Sequence, residues 1–371
     1  MRLLLMADDF TGALDTGVQF VRAGAKTAVY FRNDADFAED PETEVFIIDT
    51  ETRHVPAEDA YRAVYELVRK GLAAGITHFY KKTDSGLRGN IGPEITAMAD
   101  ALGRSVTFVP AHPKIGRIVK DGFSWIDGVP ISESVFGKDP FEPVRSSKIS
   151  DLFGEKASTV RILDAENEQD LKHIAENMLN DGSDRAVAGC AGFAEEYAKT
   201  CGFRPKESSE IMLKRPVLVI CGSINRISVS QVKNAENYGF STRTLAASVD
   251  EIRDVLAEKG CCILENFEDS LAALHKDTKE KREEILSRFS EKAVNVLAGS
   301  AVSDLLIIGG DTLYAVLNGL QVKSIRILRE LEGGAVLSEA EAENRTFRVV
   351  SKSGGFGEER WLTSLLKETG L

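Results

Sequence analysis

The stretch 76-ITHFYKKTDSGLRGNIGPEITAMADAL-102 carries a short apolar run, a polar loop and a helix-like segment in direct succession. ITHFY at 76–80 has the length and composition of a buried strand, and 94-EITAMADAL-102 has helical spacing. Strand, loop and helix in that order form the repeating unit of a parallel α/β sheet. The loop between them, 81-KKTDSGLRGN-90, holds two lysines, an arginine, an aspartate, an asparagine, a threonine, a serine and two glycines. Ligands of open α/β sheets sit at the carboxyl ends of the strands. A loop so polar at such a place predicts a polar ligand.

The same alternation extends in both directions. The runs 2-RLLLM-6, 26-KTAVYF-31, 44-EVFIID-49 and 105-SVTFVP-110 read as strands, and 12-GALDTGVQFVRAG-24 as a helix. The segment 56-PAEDAYRAVYELVRKGL-72 reads as a helix with Pro56 in its first turn and Tyr61, Val64, Leu67, Val68 and Leu72 on one face. From Gly116 to Ile131 the texture changes: Asp-Gly pairs at 121–122 and 127–128 predict a β-hairpin or meander inserted beside the main sheet. Helical spacing resumes over 166–180. The polar stretch 204-RPKESSEIMLKRP-216 then breaks the pattern before VLVIC at 217–221 opens a second series. In that series CCILEN and DLLIIGG read as strands, and 279–298 as a long helix with a solvated charged face. A chain of 371 residues is too long for one ordinary core. The expected fold is α/β in two domains, 1–208 and 209–371, each a largely parallel sheet flanked by helices, with the β-hairpin insertion in the first.

Composition narrows the function. A net charge of -12 offers no global field to attract nucleic acid or an anionic membrane surface. The five cysteines, at 190, 201, 221, 261 and 262, show neither CxxC spacing nor a histidine ladder, which argues against zinc and a disulfide framework. The opening MRLLLMADDF is too short in its apolar part for a signal peptide or a membrane span. A cytoplasmic protein with small-molecule partners is expected.

Against that acidic background, residues 81–120 hold seven cations (Lys81, Lys82, Arg88, Arg104, Lys114, Arg117, Lys120) and three acids (Asp84, Glu94, Asp100). A positive island in an acidic chain points to an anionic small molecule. Asp84, a carboxylate among cations, suits a general base or a hydroxyl ligand. In 7-ADDFTGALDTG-17, Asp8 and Asp9 follow a strand and precede a helix, where they suit polyol hydroxyls, a metal or plain helix capping. Arg53, in 49-DTETRH-54, follows another strand and suits bidentate pairing with a carboxylate. In 108-FVPAHPKIGR-117, His112 reads as a turn residue, while Lys114 and Arg117 extend the anion pocket. The second half contributes 221-CGSIN-225, 309-GGDTLYAVL-317 and 351-SKSGGFGEERWL-362, three glycine turns able to set backbone amides against phosphate oxygens at helix N-termini. There is no Walker A pattern and no GxGxxG.

ADDFTGALD, KKTDSGLRGN, PKIGR at 113–117, GGDT and KSGGFG, in this order, resemble the four-carbon acid sugar kinase family, which includes D-threonate, D-erythronate and 3-oxo-tetronate kinases. The resemblance runs from residue 7 to residue 362. It implies an N-terminal domain for the sugar acid, with Asp8, Asp9, Arg53, Lys82, Asp84, Arg88 and Asn90 lining the pocket; of these carboxylates Asp84, with Asp9 as rival, is the expected base. It implies a C-terminal domain for ATP, contacted by Ser223, Gly309, Gly310, Asp311, Thr312, Gly354 and Gly355, with Mg²⁺ on the phosphates and no metal ligand assigned. A terminal 4-hydroxyl as acceptor, domain closure about 204–216 and a homodimer complete the expectations. Gly86 stands where the family commonly has Thr, CGSIN replaces the more usual G-S-C-S, and Gly355 replaces a frequent Asn. A sugar-acid sensor without nucleotide chemistry and a sugar-acid oxidoreductase are the competing classes.

Overall fold

The N-terminal apolar run forms β1 (Leu3–Ala7), in which every residue is buried. A continuous apolar run without alternation is what a strand covered on both faces requires. The computed structural model describes residues 1–31, 35, 37, 40–139, 143–204, 213–267, 279–342 and 345–368. The chain divides into two compact units, Met1–Lys206 and Glu207–Leu371. Of the polar segment 204–216, residues 205–212 lie outside the described residues.

In the first unit β1 is joined by β2 (Thr27–Phe31), β3 (Val45–Asp49), β4 (His78–Lys82), β5 (Val106–Val109), β9 (Val160–Ile162) and β10 (Ala186–Gly189). They lie in the order β2-β3-β1-β4-β10-β5-β9, and every pair is parallel. The helices α1 (Phe10–Arg22), α2 (Ala57–Ala73), α3 (Ile91–Leu102), α4 (Glu168–Asp181) and α5 (Ala191–Thr200) are the connections. The expected insertion is a separate antiparallel sheet of β6 (Arg117–Lys120), β7 (Phe123–Ile126) and β8 (Val129–Pro130). In α2 the buried residues are Ala60, Val64, Leu67, Val68 and Gly71, whereas Leu72 is 39% exposed and leaves the face predicted for it. A Cβ on Gly71 would sit 3.0 Å from Leu4 and Phe79, so the helix approaches the sheet there and Leu72, about 100° further round, turns outward.

The second unit is a mixed sheet. Its strands are β11 (Val217–Cys221), β12 (Thr242–Thr244), β13 (Cys261–Glu265), β14 (Asp304–Ile308), β15 (Ser324–Leu331), β16 (Ala335–Ala342) and β17 (Arg345–Lys352), in the order β12-β13-β11-β14-β17-β16-β15. The first four pairings are parallel and the last two antiparallel. Its helices are α6 (Arg226–Asn237), α7 (Val249–Lys259), α8 (Lys279–Ala298), α9 (Gly310–Gly319) and α10 (Trp361–Glu368). Val219, Leu306, Ile308, Val350 and Leu362 belong to its core. No helix among the described residues is long and apolar enough to cross a membrane.

The fourth strand departs from the sequence reading. The sequence predicts a strand over 76–80 with both lysines in the loop. The strand instead spans His78–Lys82, and both lysines are buried within it. Successive strand residues face opposite ways. Lys81 points toward α3, where its Nζ lies 3.0 Å from Glu94 Oε2 and 2.7 Å from the Lys82 carbonyl oxygen. Lys82 points toward the start of α1, where a Cβ on Gly12 would lie 2.6 Å from its Nζ. Lys81 and Glu94 are 0% and 1% exposed, so each charge depends on the other. Replacing Glu94 by Leu alone should cost about 3–5 kcal/mol, because the Lys81 ammonium is left buried and unpaired. The Lys81→Met/Glu94→Leu pair should recover most of that loss, as read from urea denaturation midpoints.

Candidate functional site

β1, β3 and β4 are neighbours, all parallel, so the loops after Ala7, Asp49 and Lys82 leave the same edge of the sheet. β1 pairs with β3 on one side and β4 on the other, and the winding reverses there. Such a switch point opens a crevice at the carboxyl ends. Asp8, Asp9, Arg53, Lys82, Asp84 and Arg88 meet in it.

Arg53 joins the first two loops. Its Nε lies 2.7 Å from Asp8 Oδ2, while Nη1 is 3.1 Å from Asp9 Oδ2 and Nη2 2.8 Å from Asp9 Oδ1. Asp9 Oδ1 also accepts from the Gly12 backbone N–H at 3.2 Å, so Asp9 caps α1 while pairing with Arg53. Burial pushes the Asp8 carboxyl up, but the positive charges of Lys81, Arg53 and Lys82 outweigh it and hold the group below the usual carboxylate range. The same carboxylates raise the Arg53 guanidinium against the effect of its burial. Asn90 acts within the frame: its side-chain amide donates to the carbonyl oxygens of Thr52 and Val55, 2.8 Å each, which fastens the β3 loop to the β4 loop.

Asp84 is bound to Arg88. Nε lies 2.7 Å and the backbone N–H nitrogen 3.3 Å from Asp84 Oδ2. Burial raises this carboxyl, yet the Arg88 bond and charge, with Arg53 and Lys82 beyond, bring it down to about 2. Arg88 reaches further to Asp139, 3.8 Å away. Lys82 differs from its neighbours: no hydrogen bond or ion pair engages its ammonium among the described residues. A cavity of about 550 Å³ adjoins this cluster, lined by Arg53, His54, Arg88, Gly89, Asn90 and Arg145 among others.

One predicted contributor falls elsewhere, and the residue read as a turn is placed as one. Lys114 pairs with Glu195 of α5 and so does not extend the anion pocket. His112 packs over Gly192, and burial with the charges of Arg117 and Lys114 lowers its imidazole to about 4. Arg117 does reach the loop, donating to the Ser85 hydroxyl. Sequence reading overlooked Glu94, Asp49 and Phe136. Asp49 offered a signal, being the third acid at a strand end, whereas Glu94 and Phe136 lie inside segments with no distinguishing spacing.

The second unit repeats the layout with different groups. β11, β14 and β17 are neighbours and parallel, with Cys221 opposite Ile308 and Ile308 opposite Lys352. The turns that follow converge: Gly222 and Ser223 donate to the Ile308 carbonyl oxygen at 3.1 and 3.3 Å, and Gly309 donates to the Lys352 carbonyl oxygen at 2.9 Å. A Cβ on Gly354 would overlap Ser223 Oγ, and one on Gly222 would overlap Thr312 Oγ1, so both must be glycine for the turns to close. Gly309, at φ 116°, is the N-cap of α9 and offers its first turn no side-chain cap. The amide nitrogens of Gly310, Asp311 and Thr312 are therefore open to an anion. The third turn is held differently from the sequence expectation, because eight residues separate β17 from α10 and no helix begins at Gly354–Gly355. Lys352 fixes it instead, donating to the carbonyl oxygens of Ser353 and Phe356 at 2.8 Å each. Burial lowers the Lys352 ammonium to about 8. Asp311, exposed in the first turn of α9, is one carboxylate of the kind Mg²⁺ uses together with phosphates and water.

A family model described as a sugar-binding N-terminal domain matches residues 3–162, and another described as a nucleotide-binding C-terminal domain matches residues 218–362. A D-threonate kinase of Salmonella typhimurium is 27% identical over 99% of this chain and 98% of its own length. A D-erythronate kinase of Heliobacterium modesticaldum is 28% identical over 89% of this chain and 88% of its own. A crystal structure from Salmonella typhimurium LT2 superposes with a TM-score of 0.83 at 22% identity, covering 99% of each chain, a likeness of fold.

One acid beside the cluster titrates against the trend. Asp49 ends β3 with 0% exposure, and its Oδ2 has no hydrogen-bond partner. Burial, reinforced by Glu51 and Asp9, pushes its carboxyl up to about 9. A folded-state pKa above the unfolded value of 3.8 means stability falls as pH rises between the two. Asp49→Asn should therefore raise Tm at pH 8, and the gain should shrink toward pH 4, as measured by thermal melts across that range.

Proposed function

We propose that this chain, which belongs to the four-carbon acid sugar kinase family, transfers the γ-phosphoryl of ATP to a hydroxyl of a four-carbon sugar acid such as threonate, erythronate or 3-oxo-tetronate. The observation that carries the reading is the buried Lys82 ammonium, unengaged by protein among the described residues, beside the carboxylates of Asp8, Asp9 and Asp84. A cation kept free in a cluster where the other charges are paired suits an anionic ligand, and the surrounding carboxylates suit hydroxyls.

The first unit is the acceptor domain in this reading. Lys82 and Arg88 receive the substrate carboxylate or the transferring phosphoryl, Asp8 and Asp9 take substrate hydroxyls, and Arg53 and Asn90 keep the loops in register. Asp84 orients the attacking hydroxyl, the terminal 4-hydroxyl being the proposed acceptor, and receives its proton. At about 2 it is a weak base, but phosphoryl transfer through a loose transition state asks for positioning more than for early proton removal. The second unit is the donor domain, where Ser223, Gly309, Gly310, Asp311, Thr312, Gly354 and Gly355 receive the nucleotide phosphates. Asp311 would hold the Mg²⁺, which when bound neutralises charge on those phosphates.

Asp84→Asn should lower kcat by about 100-fold or more, the usual range for a positioned proton acceptor, with little change in KM for ATP. Lys82→Met should raise KM for the sugar acid and leave the fold intact. Both are read by ATP-dependent phosphorylation of D-threonate and D-erythronate. Near-normal kcat in Asp84→Asn would move the base role to Asp9, and absence of turnover in the unaltered protein on every four-carbon acid would sink the kinase reading.

A further inference from the structure

The insertion β6–β8 places an aromatic ring on the loop 81–90. Phe136 follows it, and its backbone is tied at both ends: its N–H donates to Ser134 Oγ at 3.1 Å, and its carbonyl oxygen accepts from Val144 at 3.0 Å. The ring lies against Gly86, where a Cβ would overlap it. Two guanidinium carbons approach the ring, Arg88 at 5.2 Å and Arg117 at 5.1 Å from its centroid. Arg88 is the partner of Asp84, and Arg117 holds Ser85. One side chain thus touches the arginine beside the proposed base, a second arginine and the glycine whose missing side chain leaves it room.

We propose that Phe136 is a positioning and specificity-determining residue of the acid-sugar pocket: it occupies the volume over Gly86, fixes the direction of Arg88 and limits the length of acid accepted. The proposal rests on the kinase reading above. Arg88 gives its Nε to Asp84 and turns Nη1 toward Asp139 at 3.8 Å, which leaves Nη2 as the donor for a ligand among the described residues. A guanidinium held at an aromatic face loses rotational freedom and so offers that donor in one direction. Because Gly86 supplies no side chain, the ring fills the volume next to Asp84 Oδ2, which lies 3.0 Å from where a Gly86 Cβ would stand, and removing the ring frees that volume for a longer aldonate.

Steady-state kinetics on D-threonate, D-erythronate and a five-carbon aldonate test this, with unaltered protein, Phe136→Ala, Phe136→Tyr, Phe136→Leu, Gly86→Ala and the Gly86→Ala/Phe136→Ala pair. Phe136→Ala should raise KM for the four-carbon acid about tenfold, the scale of lost cation–π contacts, with KM for ATP unchanged. The four-carbon over five-carbon ratio of kcat/KM should fall by about the same factor. Phe136→Tyr should restore both values. Phe136→Leu, which keeps most of the volume, should keep the length preference but not the KM. Gly86→Ala should resemble Phe136→Ala, and the pair should be no worse than either alone, since the clash needs both groups. An unchanged ratio and acid KM in Phe136→Ala overturns the proposal. So does an equal rise in both KM values with a lowered Tm, which marks a scaffold role only. Unaltered protein inert on every acid is a separate result: it defeats the kinase reading, and the proposal with it.

Discussion

Arg53 holds two adjacent carboxylates with one guanidinium, and the first unit's site exists because of that fork. Asp8 and Asp9 follow β1 directly, one nearly inaccessible and the other capping a helix. Unpaired, two such charges a residue apart would repel and would favour protonation or exposure. The planar fork satisfies both at once, which a point charge on a lysine does not. It also fastens the loop after β3 to the loop after β1, and Asn90 fastens that loop to the one after β4. Three connections that would otherwise move independently become one surface.

The two units reach a similar layout by opposite chemistry. Each uses the carboxyl ends of three neighbouring parallel strands. In the first, charged side chains fill the edge and pair across it, which suits a ligand bearing both a carboxylate and hydroxyls. In the second, the edge carries glycines and hydroxyls, the turns approach too closely for side chains, and the donors are backbone amides. Phosphate oxygens are well served by amides at a helix start, where the peptide dipoles already favour negative charge.

Much of this was legible in the sequence because strands buried on both faces read as unbroken apolar runs. RLLLM, EVFIID and VLVIC announce themselves, and the loops after them announce polarity. The exceptions share a cause: their meaning depends on a partner distant in sequence. Lys81 reads as a loop cation until Glu94 is seen beside it. Lys114 reads as part of an anion pocket until Glu195 is seen to claim it. Asn90, which lines the cavity, also fastens the backbone of Thr52 and Val55, a second role visible only in the fold. The strands β15 to β17 went unread because charged residues interrupt their apolar alternation, as in Ser324–Leu331, and only Gly333–Gly334 hints at a turn.

The two lysines of β4 give that strand a reading frame. One faces α3 and belongs to the interior, and the next faces the start of α1 and the site. A slip of one residue against β1 and β10 turns both to the opposite faces: according to its direction, either Tyr80 takes the place beside Glu94 or Thr83 takes the place at the pocket, and one of the two sites loses its lysine. Substitution by similar side chains leaves the frame intact, whereas gain or loss of a single residue within His78–Lys82 does not. A change of length is therefore better tolerated in the loops than within these five positions, which act as a fixed ruler between them.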